Sequence, residues 1–160
     1  MISGEMTDHI AFGSDNWSQI QNLDFEVFDL GQLECFVIPL PGHTKGSIGI
    51  LIPDLRLLLS GDALTPIMCL FFLNHLSKED QLETLKYVQK FDFDYYLTSH
   101  HHKILPKSLI SRMIECIKHS DGRKHYDYQY PRPPYSKGKF YLYSMEDEPV
   151  GLVTAENDWI

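Results

Sequence analysis

Three apolar, β-prone runs in this chain each lead to a polar side chain of metal-ligating type. Leu33-Glu34-Cys35-Phe36-Val37-Ile38 leads to His43, Leu55-Arg56-Leu57-Leu58-Leu59 to Asp62, and Asp94-Tyr95-Tyr96-Leu97-Thr98 to His100. This pattern constrains the fold most, because it calls for strands whose ends carry the chemistry, and loops at strand ends are where sites are usually built. Imidazole nitrogen and carboxylate oxygen both suit Zn²⁺, Fe²⁺ or Mn²⁺. Taken singly, a strand-end histidine is more often a satisfied or solvated residue than a ligand.

The remaining pattern is that of an α+β chain. Phe25-Glu26-Val27-Phe28 and Leu33 to Ile38 flank Asp29-Leu30-Gly31-Gln32 and predict a hairpin. Ser47 to Ile52 and Leu55 to Leu59 flank Pro53-Asp54 and predict a second, since proline presets the turn and aspartate bonds its own backbone there. Ser77, followed three residues later by Asp80, forms a helix-start signature, and Leu82, Leu85, Val88 and Phe91 follow at helical spacing. A helix over roughly 78–90 is expected. A further helix is expected from Pro106, with Leu109, Ile110, Met113, Ile114 and Ile117 on one face and Gly122 closing it.

Residues 123–136 carry four tyrosines and three prolines, a composition that suits a connector rather than a helix or central strand. Their tyrosines could also stack on a ligand. Phe140 to Tyr143 and Val150 to Val153 surround Glu146-Asp147-Glu148-Pro149 and predict a terminal hairpin.

At 160 residues and 43% hydrophobic, residues 1–160 are expected to form one domain with one core. Lys plus Arg number 14 against 22 Asp plus Glu, and the net charge of -8 argues against nucleic acid as a partner. Cys35, Cys69 and Cys116 form no CxxC pair, which points to reduced thiols rather than a disulfide framework or thiolate zinc site. No basic head with an apolar run opens the chain and no stretch of 18 apolar residues occurs, so the expectation is a cytoplasmic protein without a membrane span.

Phe25 to Asp62 resembles a block of the metallo-β-lactamase superfamily: a strand ending Asp-Leu-Gly, a strand leading into Pro41-Gly42-His43-Thr44-Lys45-Gly46-Ser47, a hairpin, and Ser60-Gly61-Asp62-Ala63-Leu64. Tyr96-Leu97-Thr98-Ser99-His100, between two helical segments, is similar to that family's last ligand segment. The likeness covers roughly residues 25–110, and more loosely the final hairpin. It implies half of an αββα sandwich: a mixed β-sheet with helices on one face. In the family two metals sit at the sandwich edge. His43 resembles a ligand of the first metal, Asp62 the carboxylate bridging both, and His100 a ligand of the second. Gly42 and Gly46 would let the backbone turn tightly, and Thr44 and Ser47 look like structural hydroxyls.

The family's His-x-His-x-Asp-His signature is absent, and only 24 residues precede Phe25. Asp8-His9 can be aligned with the end of that motif, with Gly4 and Met6 where its two histidines would stand. The expectation is therefore a truncated, divergent metal-dependent hydrolase with at most one ion per chain, zinc or else iron or manganese, or none. Its small-molecule substrate and catalytic residues are not specified. The alternative is a non-catalytic scaffold or binding protein that keeps the fold. His101 and His102 extend the histidine run and are expected to be solvent-exposed. A half-sandwich would leave an apolar sheet face in water, for which a homodimer packed sheet to sheet is the economical solution.

Overall fold

The structure, a computed structural model, describes residues 27–29, 31–71, 74–130 and 137–155. Among the described residues, ten strands form two sheets that share a core with two α-helices. The first sheet has the order β1 (Val27–Asp29), β2 (Glu34–Pro39), β3 (Ile48–Ile52), β4 (Leu57–Leu59), β6 (Tyr95–Leu97), β7 (Leu105–Pro106). Neighbours are antiparallel except β4 and β6, which run parallel. The second sheet has the order β5 (Ile67–Leu70), β10 (Val150–Ala155), β9 (Lys137–Ser144), β8 (Tyr126–Gln129), with β5 and β10 parallel.

Register explains which face of the first sheet is core. Phe36, Leu51, Leu58, Tyr96 and Leu105 are successive partners across five strands. Side chains of one register row point to one side of a sheet. All but Phe36 are buried, and all of them pack in or against a cluster that includes Leu85 and Val88 of α1 (Lys78–Val88) and Ile110 and Met113 of α2 (Leu109–His119). The second sheet joins the same cluster through Met68, Leu70, Tyr141, Val150 and Leu152, with α2 against β9 and β10. A leucine truncated to alanine at Leu58 or Leu85, both fully buried, would cost about 2–5 kcal/mol.

Both predicted hairpins of the first sheet form. The second turns through a 3₁₀ segment, Pro53–Leu55, and a left-handed Arg56 rather than a simple two-residue turn. The first helix starts as expected: Ser77 accepts from the Asp80 amide and Asp80 accepts from the Ser77 amide. The second begins at Leu109 rather than Pro106, because Pro106 lies in β7 beside Tyr95.

Residues 123–136 depart from the connector reading. Tyr126 to Gln129 pair with Lys137 to Phe140 as the edge strand β8. The prolines begin only at Pro131, beyond this strand, so none interrupts its ladder. Asp8, His9, Phe25, Glu26 and the proline-rich residues 131–136 lie outside the described residues.

Candidate functional site

β2, β4 and β6 point the same way, because β3 runs antiparallel to both β2 and β4 while β6 runs parallel to β4. Their C-terminal ends therefore lie along one edge of the sheet, and the loops after them carry His43, Asp62 and His100. Ser60 continues the β4–β6 pairing, donating from its amide (2.8 Å) and its hydroxyl (3.0 Å) to the Leu97 carbonyl. Gly61 then takes a left-handed φ of +52°, and its carbonyl accepts from the Ser99 amide at 3.1 Å. Asp62 and His100 are thus delivered side by side by backbone bonds.

His43 arrives across the intervening β3. Leu40 donates to the Ser47 carbonyl at 2.8 Å, and the Ser47 hydroxyl accepts from the Thr44 amide at 3.2 Å, closing the loop around His43. The His43 Nδ1 lies 2.8 Å from the Cys69 carbonyl. A carbonyl can only accept, so this bond places the proton on Nδ1 and leaves the Nε2 lone pair as the ligating position of the neutral ring.

The three side chains gather around the Asp62 carboxylate. His43 Nε2 is 3.9 Å from one carboxylate oxygen and His100 Nε2 is 3.4 Å from the other. His43 is mostly buried, Asp62 is about one-third exposed, and the His100 side chain is 78% exposed. Asp62 Oδ1, the oxygen that faces His100, is buried and accepts no hydrogen bond. All three border a cavity of about 450 Å³ whose lining also includes Cys69, Tyr128 and Tyr130. Burial first, and the Asp62 charge second, push the Cys69 thiol up to about 11.

His101 departs from the solvated reading. Its Nε2 lies 3.1 Å from a Glu148 carboxylate oxygen, and the Lys103 ammonium donates to the other oxygen at 2.6 Å. Glu148 stands in the β9–β10 turn and draws His101 inward, while His102 stays exposed. Sequence reasoning missed Cys69 and Glu148 as neighbours of the site. Neither sits in a recognisable motif, and both reach it through pairing of distant segments. Tyr128 and Tyr130 were visible only as part of a tyrosine-rich stretch.

Residues 9–100 match the family model described as the metallo-beta-lactamase superfamily. The chain belongs to that superfamily. Among solved structures it is similar to a metallo-beta-lactamase from Pontibacter korlensis, with 14% identity over 63% of this chain and 49% of that one, at a TM-score of 0.54. It is also similar to ETHE1 from Myxococcus xanthus, with 20% identity over 72% of this chain and 55% of that one, at a TM-score of 0.49. The chain spans about half the length of these solved relatives, and the first likeness establishes the fold. No curated protein matches it.

The superfamily is typically metal-dependent. Two imidazoles flanking a carboxylate, one oxygen of which is buried without a hydrogen bond, are the right donor chemistry for one borderline divalent ion. The geometry stops short of a closed shell: among the described residues no three His, Cys, Asp or Glu side chains converge as a metal-binding group. Cys69 adds no ready donor, since a thiol with so high a pKa is protonated near neutral pH.

Proposed function

We propose that this chain is a divergent metal-dependent hydrolase of its superfamily, with His43, Asp62 and His100 holding at most one ion per chain, zinc before iron or manganese. The observation that carries the reading is the placement of the two imidazole Nε2 atoms on opposite oxygens of one carboxylate, at the mouth of a cavity. A divalent ion bound there would supply Lewis-acid polarisation of a scissile carbonyl or phosphoryl group. The chain's own residues do the holding. The Cys69 carbonyl orients His43, the β4–β6 backbone bonds fix Asp62 against His100, and Tyr128 and Tyr130 form an aromatic wall for a small-molecule substrate.

Metal analysis of the purified protein tests this. Up to one equivalent of zinc is expected, falling to background in His43→Ala and Asp62→Ala, with a smaller loss in His100→Ala because that ring is largely exposed. Wild-type protein that takes up no zinc, iron or manganese in titration would overturn the reading. A second reading, a non-catalytic dimeric scaffold that keeps the fold, is favoured by the lack of a converged three-donor group among the described residues. The partner in either case is a second copy of the chain, and the proposed location is cytoplasmic. No helix among the described residues is long and apolar enough to cross a membrane.

A further inference from the structure

The loops bearing Asp62 and His100 follow adjacent parallel strands and bond to each other directly. The loop bearing His43 follows β2, which β3 separates from β4. A strand ladder joins only neighbours, so the relation between His43 and Asp62 needs a bridge from outside the sheet. Helix α1 supplies one. Gln81, 1% exposed, donates from Nε2 to the Ala63 carbonyl at 3.0 Å, next to Asp62. Thr84, one turn further on and 4% exposed, donates to the Pro41 carbonyl, and the Leu76 amide donates to the Gly42 carbonyl at 2.8 Å.

Gln81 also bears on the His43 loop by contact. A Cβ at Gly42 would stand 1.7 Å from Gln81 Oε1 and 2.8 Å from its Cδ, so the amide occupies the space that a side chain at Gly42 would need. That oxygen is buried and has no hydrogen-bond partner. Burying an amide oxygen unpaired is unfavourable, so packing alone does not explain a glutamine here. A leucine would spare that oxygen but would leave the Ala63 carbonyl without its bond from Gln81.

We propose that Gln81 is a positioning residue that sets the His43 loop against the Asp62 loop, through its bond to Ala63 and its seat against Gly42. This rests on the reading of His43 and Asp62 as ligands. The clamp itself can be read without metal.

Two measurements on the full chain test it. In metal-free protein, Gln81→Met should speed amide hydrogen exchange at residues 42–45 and 61–63 together, by about tenfold or more. In a chelator competition with zinc alone, the same variant should bind about 10- to 100-fold more weakly. Leu85→Ala, one turn along the same helix and fully buried, is the matched control. It should lower thermal stability without loosening those two loops selectively.

Gly42→Ala provides an independent route, because the new methyl must displace the Gln81 amide from Ala63. An alanine at Gly42, where φ is +159°, also strains its own backbone, so the double-mutant cycle reads the coupling: the loosening should be clearly smaller in a Gln81→Ala background, where the clash is gone. Loops protected as in wild type in Gln81→Met, equal loosening by Leu85→Ala, or additive effects of Gly42→Ala and Gln81→Ala would each overturn the proposal. Wild-type protein that binds none of zinc, iron and manganese would defeat the hydrolase reading, and the exchange measurement would still decide the clamp.

Discussion

Cys69 acts on the site through its two ends in opposite ways. Its carbonyl accepts from His43 Nδ1 and fixes the imidazole, whereas its thiol is held neutral, first by burial and second by the nearby Asp62 carboxylate. A thiol with a pKa of about 11 is a poor nucleophile and a poor ligand near pH 7. Alkylation of Cys69 by iodoacetamide at pH 7.5 should therefore be much slower than that of a free cysteine. Asp62→Asn should accelerate it, because removing the charge lowers the thiol pKa while leaving the burial. Peptide mass spectrometry over a time course reads both rates. Wild-type reactivity equal to that of a free thiol would contradict this account. Cys69→Ser keeps the carbonyl and should leave zinc uptake unchanged, which separates the backbone's role from the sulfur's.

At the scale of elements, the parallel β4–β6 pair that aligns Asp62 with His100 is held at its far end by Arg56. This residue has a left-handed φ of 48°, and its carbonyl accepts from the Asp94 and Tyr95 amides at 2.9 and 3.3 Å. Its guanidinium contacts both oxygens of Asp92 at 2.8 Å and both of Asp94 at 2.6 and 2.9 Å. Hydrogen bonds from Arg56 hold both carboxyls below their ordinary range. A folded-state pKa below the unfolded one stabilises the fold above the unfolded value, about 3.9 for aspartate. That contribution fades as pH falls through the depressed folded value. Arg56→Asn tolerates the left-handed backbone but lacks the guanidinium. Its urea midpoint should fall below wild type at pH 7, and the two proteins should converge near pH 2. A gap that persists at low pH would mean that the ion pairs are not its source.

The sequence announces those elements whose signals are local. The Ser77–Asp80 cap and the leucine spacing mark α1, and apolar runs around Pro53-Asp54 mark a hairpin. It does not announce β5. Residues 67–70 pair in parallel with residues 151–154, more than 80 positions away, and parallel pairing leaves no turn signature at either partner. The candidate site divides in the same way. His43, Asp62 and His100 are legible because each follows its own strand. Their distances, the Gln81 bridge and the pull of Glu148 on His101 depend on tertiary contacts that no short window contains.

At the scale of the whole molecule, the side of the first sheet opposite the helices is apolar throughout its central rows. Val37, Ile50, Leu59 and Leu97 form one register row, and Ile52, Leu57 and Tyr95 a second, with no carboxylate, histidine, lysine or arginine among them. None belongs to the buried core cluster, although Val37 and Ile52 are buried and Ile50, Leu57, Leu59 and Leu97 are partly covered. Tyr95 is 52% exposed, and Ile48 on the same side is 40% exposed. A chain of net charge -8 repels its own copy wherever acids meet, and the described residues of these two rows carry no acid side chain into the contact. A two-fold axis between facing sheets would set the same rows against each other at the usual spacing of about 10 Å. We propose that the uncovered part of this face, around Ile48 and Tyr95, meets a second copy. The proposed homodimer should appear at twice 18.6 kDa in light scattering at micromolar concentration. Leu59→Lys and Ile50→Lys should each yield a monomer with unchanged far-ultraviolet circular dichroism, because both side chains stand outside the core on which the helices pack. A wild-type monomer that binds no apolar dye would show the face to be covered within one chain, and would remove the need for a partner.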